Sequence, residues 1–396
     1  MTTQFERLKV LSAGILSLIL MLGIARFAYT PMLPVMQSQA GLGISEGGWL
    51  AAINYMGYLC GAIIAALSSD LILKDRLYRI GLVMAVITTV GMGVTDNLVL
   101  WAVFRFLAGL SSAAGLLLAS GLIMNWLIRN DFRSELGIHF SGLGLGIAFC
   151  SFTVLISSDS LDWREQWYLL TAAGILLMIP AWRWLPPPDR SAISRSGKSM
   201  HDNAPGKGFQ RLLMAAYFCA GVGYVVSATF IVAIVDSFEE LSGMGYWTFM
   251  LLGLAAAPAC IFWDLVARRV GDYNALLMAY VVQIVSILLP VFLPSAAITL
   301  LGAFLFGATF IGIVSLVLSI AGRYYPTRPA KMMGKMTIAY GVAQIIGPAI
   351  TGMLAEQSGS YADGLYMAAT MMIVGTLIML RLRILDHRIR AGNSLT

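Results

Sequence analysis

Twelve apolar stretches, each close to the length of a membrane-crossing helix, constrain this chain more than any other feature. They cover about 10–36, 45–68, 77–95, 97–127, 135–157, 163–185, 209–235, 246–267, 273–293, 296–320, 331–354 and 363–384. A helix rises 1.5 Å per residue, so ~20 apolar residues reach across the hydrocarbon of a bilayer. Lipid offers no partner for a backbone N–H or C=O, so such runs must bond internally. The composition agrees: 59% of residues are hydrophobic and 12% charged, against about 25% charged in an ordinary soluble domain. The expected fold class is an all-α polytopic membrane protein.

The first run is expected to stay in the protein. Arg7 and Lys9 precede it, as in a secretory leader, but the run is too long for one and carries Arg26, Pro31 and Pro34 before any small-residue cleavage pattern. Basic residues orient the spans. With both termini cytoplasmic, all of the 26 lysines and arginines except Arg26, Arg105 and Arg164 lie on the inside, with Lys74, Arg76 and Arg79 in the loop between spans 2 and 3. Asp236, Glu239 and Glu240 then fall outside. The net charge of +6 is a consequence of this topology, and no separate basic domain points to nucleic acid.

One long polar stretch, PPPDRSAISRSGKSMHDNAPGKG at 186–208, divides six spans from six. Its Pro, Gly and Ser content reads as a linker. The expected organisation is a bundle over 1–185, a cytoplasmic linker over 186–208 and a second bundle over 209–396. The two parts also align weakly: RFLAG at 105–109 with AFLFG at 303–307, GIARFAY at 23–29 with GVGYVVS at 221–227, and Asp70 with Asp264. This sets Tyr224 opposite Arg26. Internal repeats of this kind build many secondary transporters, with the substrate site at the repeat interface near mid-membrane.

Several motifs carry a resemblance to a known family. RFLAGLSSAA (105–114), GVAQIIGPAITG (341–352) and WREQW (163–167) resemble the span-4, span-11 and span-6 motifs of the major facilitator superfamily. RFAYTPMLP (26–34) resembles the signature of its bacterial YbfB/YjiJ-type branch. The resemblance implies two pseudo-symmetric six-helix bundles in the bacterial inner membrane. It also implies a central cavity bordered by spans 1, 2, 4, 7 and 11, and a monomer embedded in lipid. The superfamily's 2–3 loop motif is blurred here. Asp70 with Arg76 or Arg79, and more closely Asp264 with Arg268 and Arg269, resemble its gating pairs.

Helix rise places Arg26, Asn54, Arg105, Tyr224 and Gln344 in one layer, roughly 12–16 Å below the outer surface. Tyr29 and Tyr58 lie one turn from Arg26 and Asn54, on the same faces. All 20 acidic residues sit at span ends or in loops, so the two arginines have no carboxylate at their depth. An intramembrane charge costs at least ~2.5–3.5 kcal/mol and wants a partner. A guanidinium binds a carboxylate through two parallel hydrogen bonds, so the partner can be an anionic substrate. The resemblance adds that organic-anion carriers of the superfamily bear arginines on spans 1 and 4. A structural role also fits Arg26, because Pro31 and Pro34 free the carbonyls of Phe27 and Thr30 for a nearby donor. Arg105 fits substrate contact, packing or proton coupling. Asn54, Tyr58, Tyr224 and Gln344 suit either a ligand or helix–helix bonding. His139, near the inner end of span 5, fits a proton carrier or an interfacial hydrogen bonder. The pairs Gly57/Gly61 and Gly142/Gly146 fit close helix contacts.

Function classes separate cleanly. Cys60, Cys150, Cys219 and Cys260 stand singly in apolar stretches, so neither a disulfide nor a metal site is expected. No nucleophile–base grouping or phosphate-binding loop appears, so neither an enzyme nor a cofactor is expected. No selectivity-filter pattern suggests a channel. The expected function is a secondary carrier that moves a small organic anion by alternating access with protons. The alternative is an exporter of amphipathic or drug-like compounds, for which 22 Met and 15 Tyr would furnish adaptable walls. GIHFSGLGLGIAF in span 5 faintly resembles the antiporter motif but lacks its proline.

Overall fold

The apolar runs form helices, and polar residues at their edges set where several of them begin. Asn97 accepts hydrogen bonds from the N–H groups of Val99 and Leu100 at 2.9 and 3.1 Å, fixing the start of span 4. Asp162 does the same for span 6 through Arg164 and Glu165, while Glu165 reaches back to the N–H of Asp162 at 2.9 Å. Asp70 caps span 3 through the N–H of Ile72. Ser295 caps span 10. Gly271, at φ +88°, turns the chain between spans 8 and 9.

In the computed structural model, residues 2–133, 136–189, 199–236, 244–293, 295–358 and 362–393 are described. Glu239, Glu240 and linker residues 190–198 lie outside them. Among the described residues the chain makes twelve long helical runs. Span 1 joins Thr2–Leu18, a π-helical Ile19–Phe27 and Tyr29–Gln39. Spans 2 and 3 are Ile44–Leu67 and Leu71–Val94. Span 4 joins Leu98–Ala113, a π-helical Ala114–Ala119 and Ser120–Arg129. Spans 5 to 8 are Gly137–Ser157, Trp163–Trp184, Lys207–Asp236 and Gly245–Val270. Spans 9 to 12 are Asp272–Phe292, Ala296–Arg323, Pro329–Ser358 and Ala362–Asn393. By length and apolarity alone, ten of these are fit to cross a membrane. The other two are spans 6 and 11.

Several boundaries differ from the sequence expectation: span 1 begins at Thr2 and span 12 ends at Asn393, both beyond the apolar runs, and span 3 starts earlier than expected. Span 3 begins at Leu71, so Lys74, Arg76 and Arg79 belong to its first turns rather than to a loop. Two contacts explain this: the Asp70 cap and an i,i+4 ion pair in which Arg79 Nε meets Asp75 Oδ2 at 2.9 Å. Arg79 also donates to the carbonyls of Trp182 and Leu185, tying span 3 to the end of span 6. Arg79 therefore pairs with Asp75, not with Asp70 as the blurred motif suggested.

The closest helix contacts are made at glycines. A Cβ on Gly57 would lie 2.0 Å from the carbonyl oxygen of Phe106, and one on Gly109 would lie 2.1 Å from that of Asn54. Spans 2 and 4 thus meet backbone to backbone. Gly142 and Gly146 serve span 5 in the same way against Ile15 and Gly23 of span 1. Contacts also cross from the first six spans to the last six. Gly144 of span 5 faces Gly253 and Ala257 of span 8, and Gly334 of span 11 faces Ala62 and Ala66 of span 2. Large apolar side chains such as Trp49, Leu67, Val99 and Leu176 face outward, as a lipid-facing surface requires.

Candidate substrate site

The site grows out of the unusual first span. Between Ile19 and Phe27 the helix widens to a π form, ending where Ala28 N–H donates to the Gly23 carbonyl, five residues back. Pro31 and Pro34 follow directly and lack N–H groups of their own. Carbonyls along this stretch consequently turn to side chains of span 4. Ser112 donates to the carbonyl of Met21 at 2.9 Å, and Arg105 Nη1 to those of Ala25 and Arg26 at 3.3 Å each.

Arg105 is therefore the tie that sequence reasoning had considered for Arg26, and the carbonyls it holds belong to Ala25 and Arg26 rather than to Phe27 and Thr30. Its Nε also donates to the Leu50 carbonyl at 3.4 Å, and its guanidinium lies 4.2 Å from the centre of the Tyr29 ring. Asn54 donates to the backbone carbonyl of Arg105 at 2.8 Å, and Tyr29 donates to that of Gly47 at 2.9 Å. Arg105, Tyr29 and Asn54 thus form one buried cluster joining spans 1, 2 and 4.

Arg26 faces another way. Its guanidinium stands 4.4 Å from the centre of the Tyr58 ring, 4.9 Å from Tyr55 and 5.3 Å from Phe27. It lines a small cavity together with Tyr58, Tyr224 and Gln344. Four of the seven expected substrate contacts therefore meet at one place, while Tyr29, Asn54 and Arg105 stand beside it.

Sequence reasoning missed Tyr217, Phe310 and Tyr340, which also line the cavity. Tyr224 stacks on Phe310 with ring centres 5.2 Å apart and on Tyr340 at 5.6 Å, and Tyr340 stacks on Tyr217 at 4.6 Å. Their spacing held a signal. Tyr217 precedes Tyr224 by two helical turns, and Tyr340 precedes Gln344 by one.

The electrostatics are one-sided. Among the described residues no carboxylate pairs with Arg26 or Arg105. Gln344 is 5% exposed, and its Oε1 is buried without a hydrogen-bond donor. One buried cation and one free acceptor thus share an aromatic wall.

The residues considered for coupling or gating lie elsewhere, toward the end that carries the linker. His139 is wholly buried between spans 1, 4 and 5, its Nε2 2.8 Å from Ser120 Oγ and its Nδ1 against Gly14. It is not part of the cavity wall. Asp264 is 6% exposed, and its Oδ2 accepts the N–H of Gly137 at 2.5 Å, so a side chain of span 8 caps the start of span 5. A Cβ on Gly137 would lie 2.2 Å from that oxygen, so only glycine fits. Asp70 caps its own span, and Arg268 is exposed at the end of span 8.

A helical membrane protein with a cavity walled by side chains from both parts of the chain has the form of a solute transporter. Over residues 18–380 the sequence matches the family described as "Uncharacterised MFS-type transporter YbfB". The chain belongs to this family of major-facilitator transporters, whose members are carriers of small solutes rather than enzymes. Among relatives, it is 21% identical over 353 residues to the MFS-type transporter YceJ of Bacillus subtilis, covering 86% of this chain and 88% of the relative. It is 20% identical over 388 residues to the hexuronate transporter of the same species, covering 90% of each. Among solved structures, the human organic anion transporter MFSD10 superimposes with a TM-score of 0.73 at 16% identity, over 94% of this chain and 99% of the other. At that identity the likeness is one of fold.

Proposed function

We propose that the protein is a proton-coupled secondary carrier of a small organic anion, with Arg26 as the anion's principal contact. The carrying observation is the state of Arg26: a guanidinium in a cavity wall, packed on aromatic faces, with no acid paired to it. Such a charge is costly in a membrane protein unless something answers it. A carboxylate entering the cavity answers it with two hydrogen bonds. The unpartnered Oε1 of Gln344 then takes a donor from the substrate. The hexuronate carried by one relative is an anion of this general kind. The described cavity wall holds no carboxylate that would favour a cationic drug.

In this reading residues 1–185 and 209–396 are two bundles that rock about the cavity, with 186–208 as a cytoplasmic linker. The protein works as a monomer in the bacterial inner membrane with both termini cytoplasmic. The cap from Asp264 to Gly137 holds the cytoplasmic end closed and must break for that end to open. His139, Asp70 and Arg268 belong to the same end and are the candidates for coupling and gating there. The test is uptake of radiolabelled small carboxylates into proteoliposomes with an alkaline interior. The reading requires uptake that collapses with a protonophore and is lost in Arg26→Gln. Uptake of lipophilic cations instead, unchanged in Arg26→Gln, would replace it with the exporter reading.

A further inference from the structure

The weak repeat between the two parts meets an exception where span 10 packs on span 7. Setting RFLAG against AFLFG places Ala303 at the position of Arg105, and setting GIARFAY against GVGYVVS places Ser227 at that of Tyr29. In the first part Arg105 and Tyr29 fill their space with a guanidinium on a phenol ring. In the second part the two smaller residues border a cavity of about 20 Å³ between spans 7, 9, 10 and 12. We infer that this cavity is a binding site for one ordered water molecule, which ties span 7 to spans 9 and 10 where the first part uses Arg105.

Three oxygens call for that water. Ser227 Oγ and Thr299 Oγ1 belong to lining residues that are 5% and 2% exposed, and neither has a hydrogen-bond partner. The third is the backbone carbonyl of Ser286. Pro290 offers it no N–H from the next turn of span 9, and the oxygen lies against span 10, where a Cβ on Gly302 would be 3.1 Å away. The Ser286 hydroxyl is not a fourth, since it donates to the Gln283 carbonyl at 2.7 Å. Buried polar groups without a protein partner are costly, and ordered water is the usual remedy. One water can donate to the carbonyl and to one hydroxyl while accepting from the other, so all three are answered at once.

Size and lining exclude other occupants. A water needs roughly 10–15 Å³, so the cavity admits one but no organic molecule. A calcium or magnesium ion takes about six oxygens. The three here fall short, with no space for further waters and no charged side chain among the described lining residues. The rest of the wall, including Ile287, Ala303, Phe306 and Leu365, is apolar. Phe306 also stacks on Tyr224 and on Phe310, with ring centres 6.3 and 5.2 Å apart, so it stands between this site and the cavity that holds Arg26. The water thus sits behind the aromatic wall of the candidate substrate site and helps to fix the span that carries Tyr224.

The test is radiolytic labelling of the purified full-length protein in detergent, read by mass spectrometry. Brief X-ray exposure makes hydroxyl radicals from ordered water in place, and these oxidise the side chains beside it. Ile287 and Leu365 line this cavity and not the one that holds Arg26, and Leu20 and Leu82, each 0% exposed, are the controls. The expected result is oxidation of Ile287 and Leu365 at several times the rate of the controls, in choline and in sodium buffer alike. Thr299→Val keeps the side chain's shape and should reduce that excess. Thr299→Val combined with Ser227→Ala should abolish it while Leu20 and Leu82 stay protected, which also shows that the variant is folded. Wild-type rates equal to those of the controls, or an excess unchanged in both variants, would overturn the water site. Loss of the excess on exchanging choline for sodium would give the site to a monovalent cation and overturn it equally.

Discussion

At the scale of single residues, the two membrane-embedded arginines divide the labour between structure and binding. Arg105 spends its donors on carbonyls of Leu50, Ala25 and Arg26. Replacing it with glutamine strands some of these acceptors, a loss of about 1–3 kcal/mol for each buried group left bare. Arg105→Lys should also destabilise, because one ammonium lacks the planar fork that reaches two spans at once. Arg26→Gln should behave in the opposite way when no ligand is present. It removes a buried, unpaired charge and loses only contacts to aromatic faces, worth about 0.5–2 kcal/mol. Thermal unfolding of the ligand-free variants in detergent checks both expectations: Arg105→Gln below wild type, Arg26→Gln equal to it or above. A fall of equal size in both would make Arg26 a structural residue. Depth was legible in the sequence, because rise per residue is nearly constant, and it brought Arg26, Asn54, Arg105, Tyr224 and Gln344 to one level, with Tyr58 a turn away. Facing was not. The π-helical stretch through Arg26 changes the angle between residues three apart, so Tyr29 turns to Arg105 and Arg26 turns to Tyr58.

Among the elements, the tight crossings follow from where the sequence places glycine. Gly57 and Gly109 bring spans 2 and 4 together so closely that a methyl group on either would strike a backbone oxygen. Gly57→Ala and Gly109→Ala should each lower stability by about 1–3 kcal/mol, the usual range for overpacking. Gly206→Ala is the control, since a Cβ there meets nothing within 4 Å. Thermal unfolding of the three variants distinguishes them, and a neutral Gly109→Ala would contradict the close crossing. The GxxxG spacing at Gly57/Gly61 and Gly142/Gly146 announced contact surfaces, although not which helices they would meet. The start of span 3 was hidden because lysine and arginines near Asp70 resemble a polar loop. The Asp70 cap and the Asp75–Arg79 pair show how a charged first turn can remain helical.

On the scale of the whole molecule, the hydrogen bond from Gly137 to Asp264 joins the first part of the chain to the second at the linker-bearing end. Ala330 of span 11, 1% exposed, packs on Gly121 of span 4 at the same end. If Asp264 holds that end shut, Asp264→Asn weakens a charge-assisted bond and shifts the population toward states open there. With Cys60 replaced by serine, Ala330→Cys should then react with a water-soluble maleimide several-fold faster in the Asp264→Asn background. An unchanged labelling rate would mean that the cap supports span 5 without gating the pathway. The number of spans and the family were readable from apolar run lengths and four short motifs, because those depend on local sequence. The meeting of Tyr217, Tyr224, Phe310 and Tyr340 was not, because it depends on how spans 7, 10 and 11 are rotated against one another.

The central claim is that Arg26 awaits an anion. The most direct test is thermal stabilisation of the purified protein by small carboxylates and, separately, by lipophilic cations, in wild type and in Arg26→Gln. A ligand at 100 times its dissociation constant stabilises by about 2.7 kcal/mol, enough to move the unfolding transition measurably. The account predicts that a carboxylate stabilises wild type and leaves Arg26→Gln unmoved. Stabilisation by cations alone, equal in both proteins, would contradict it.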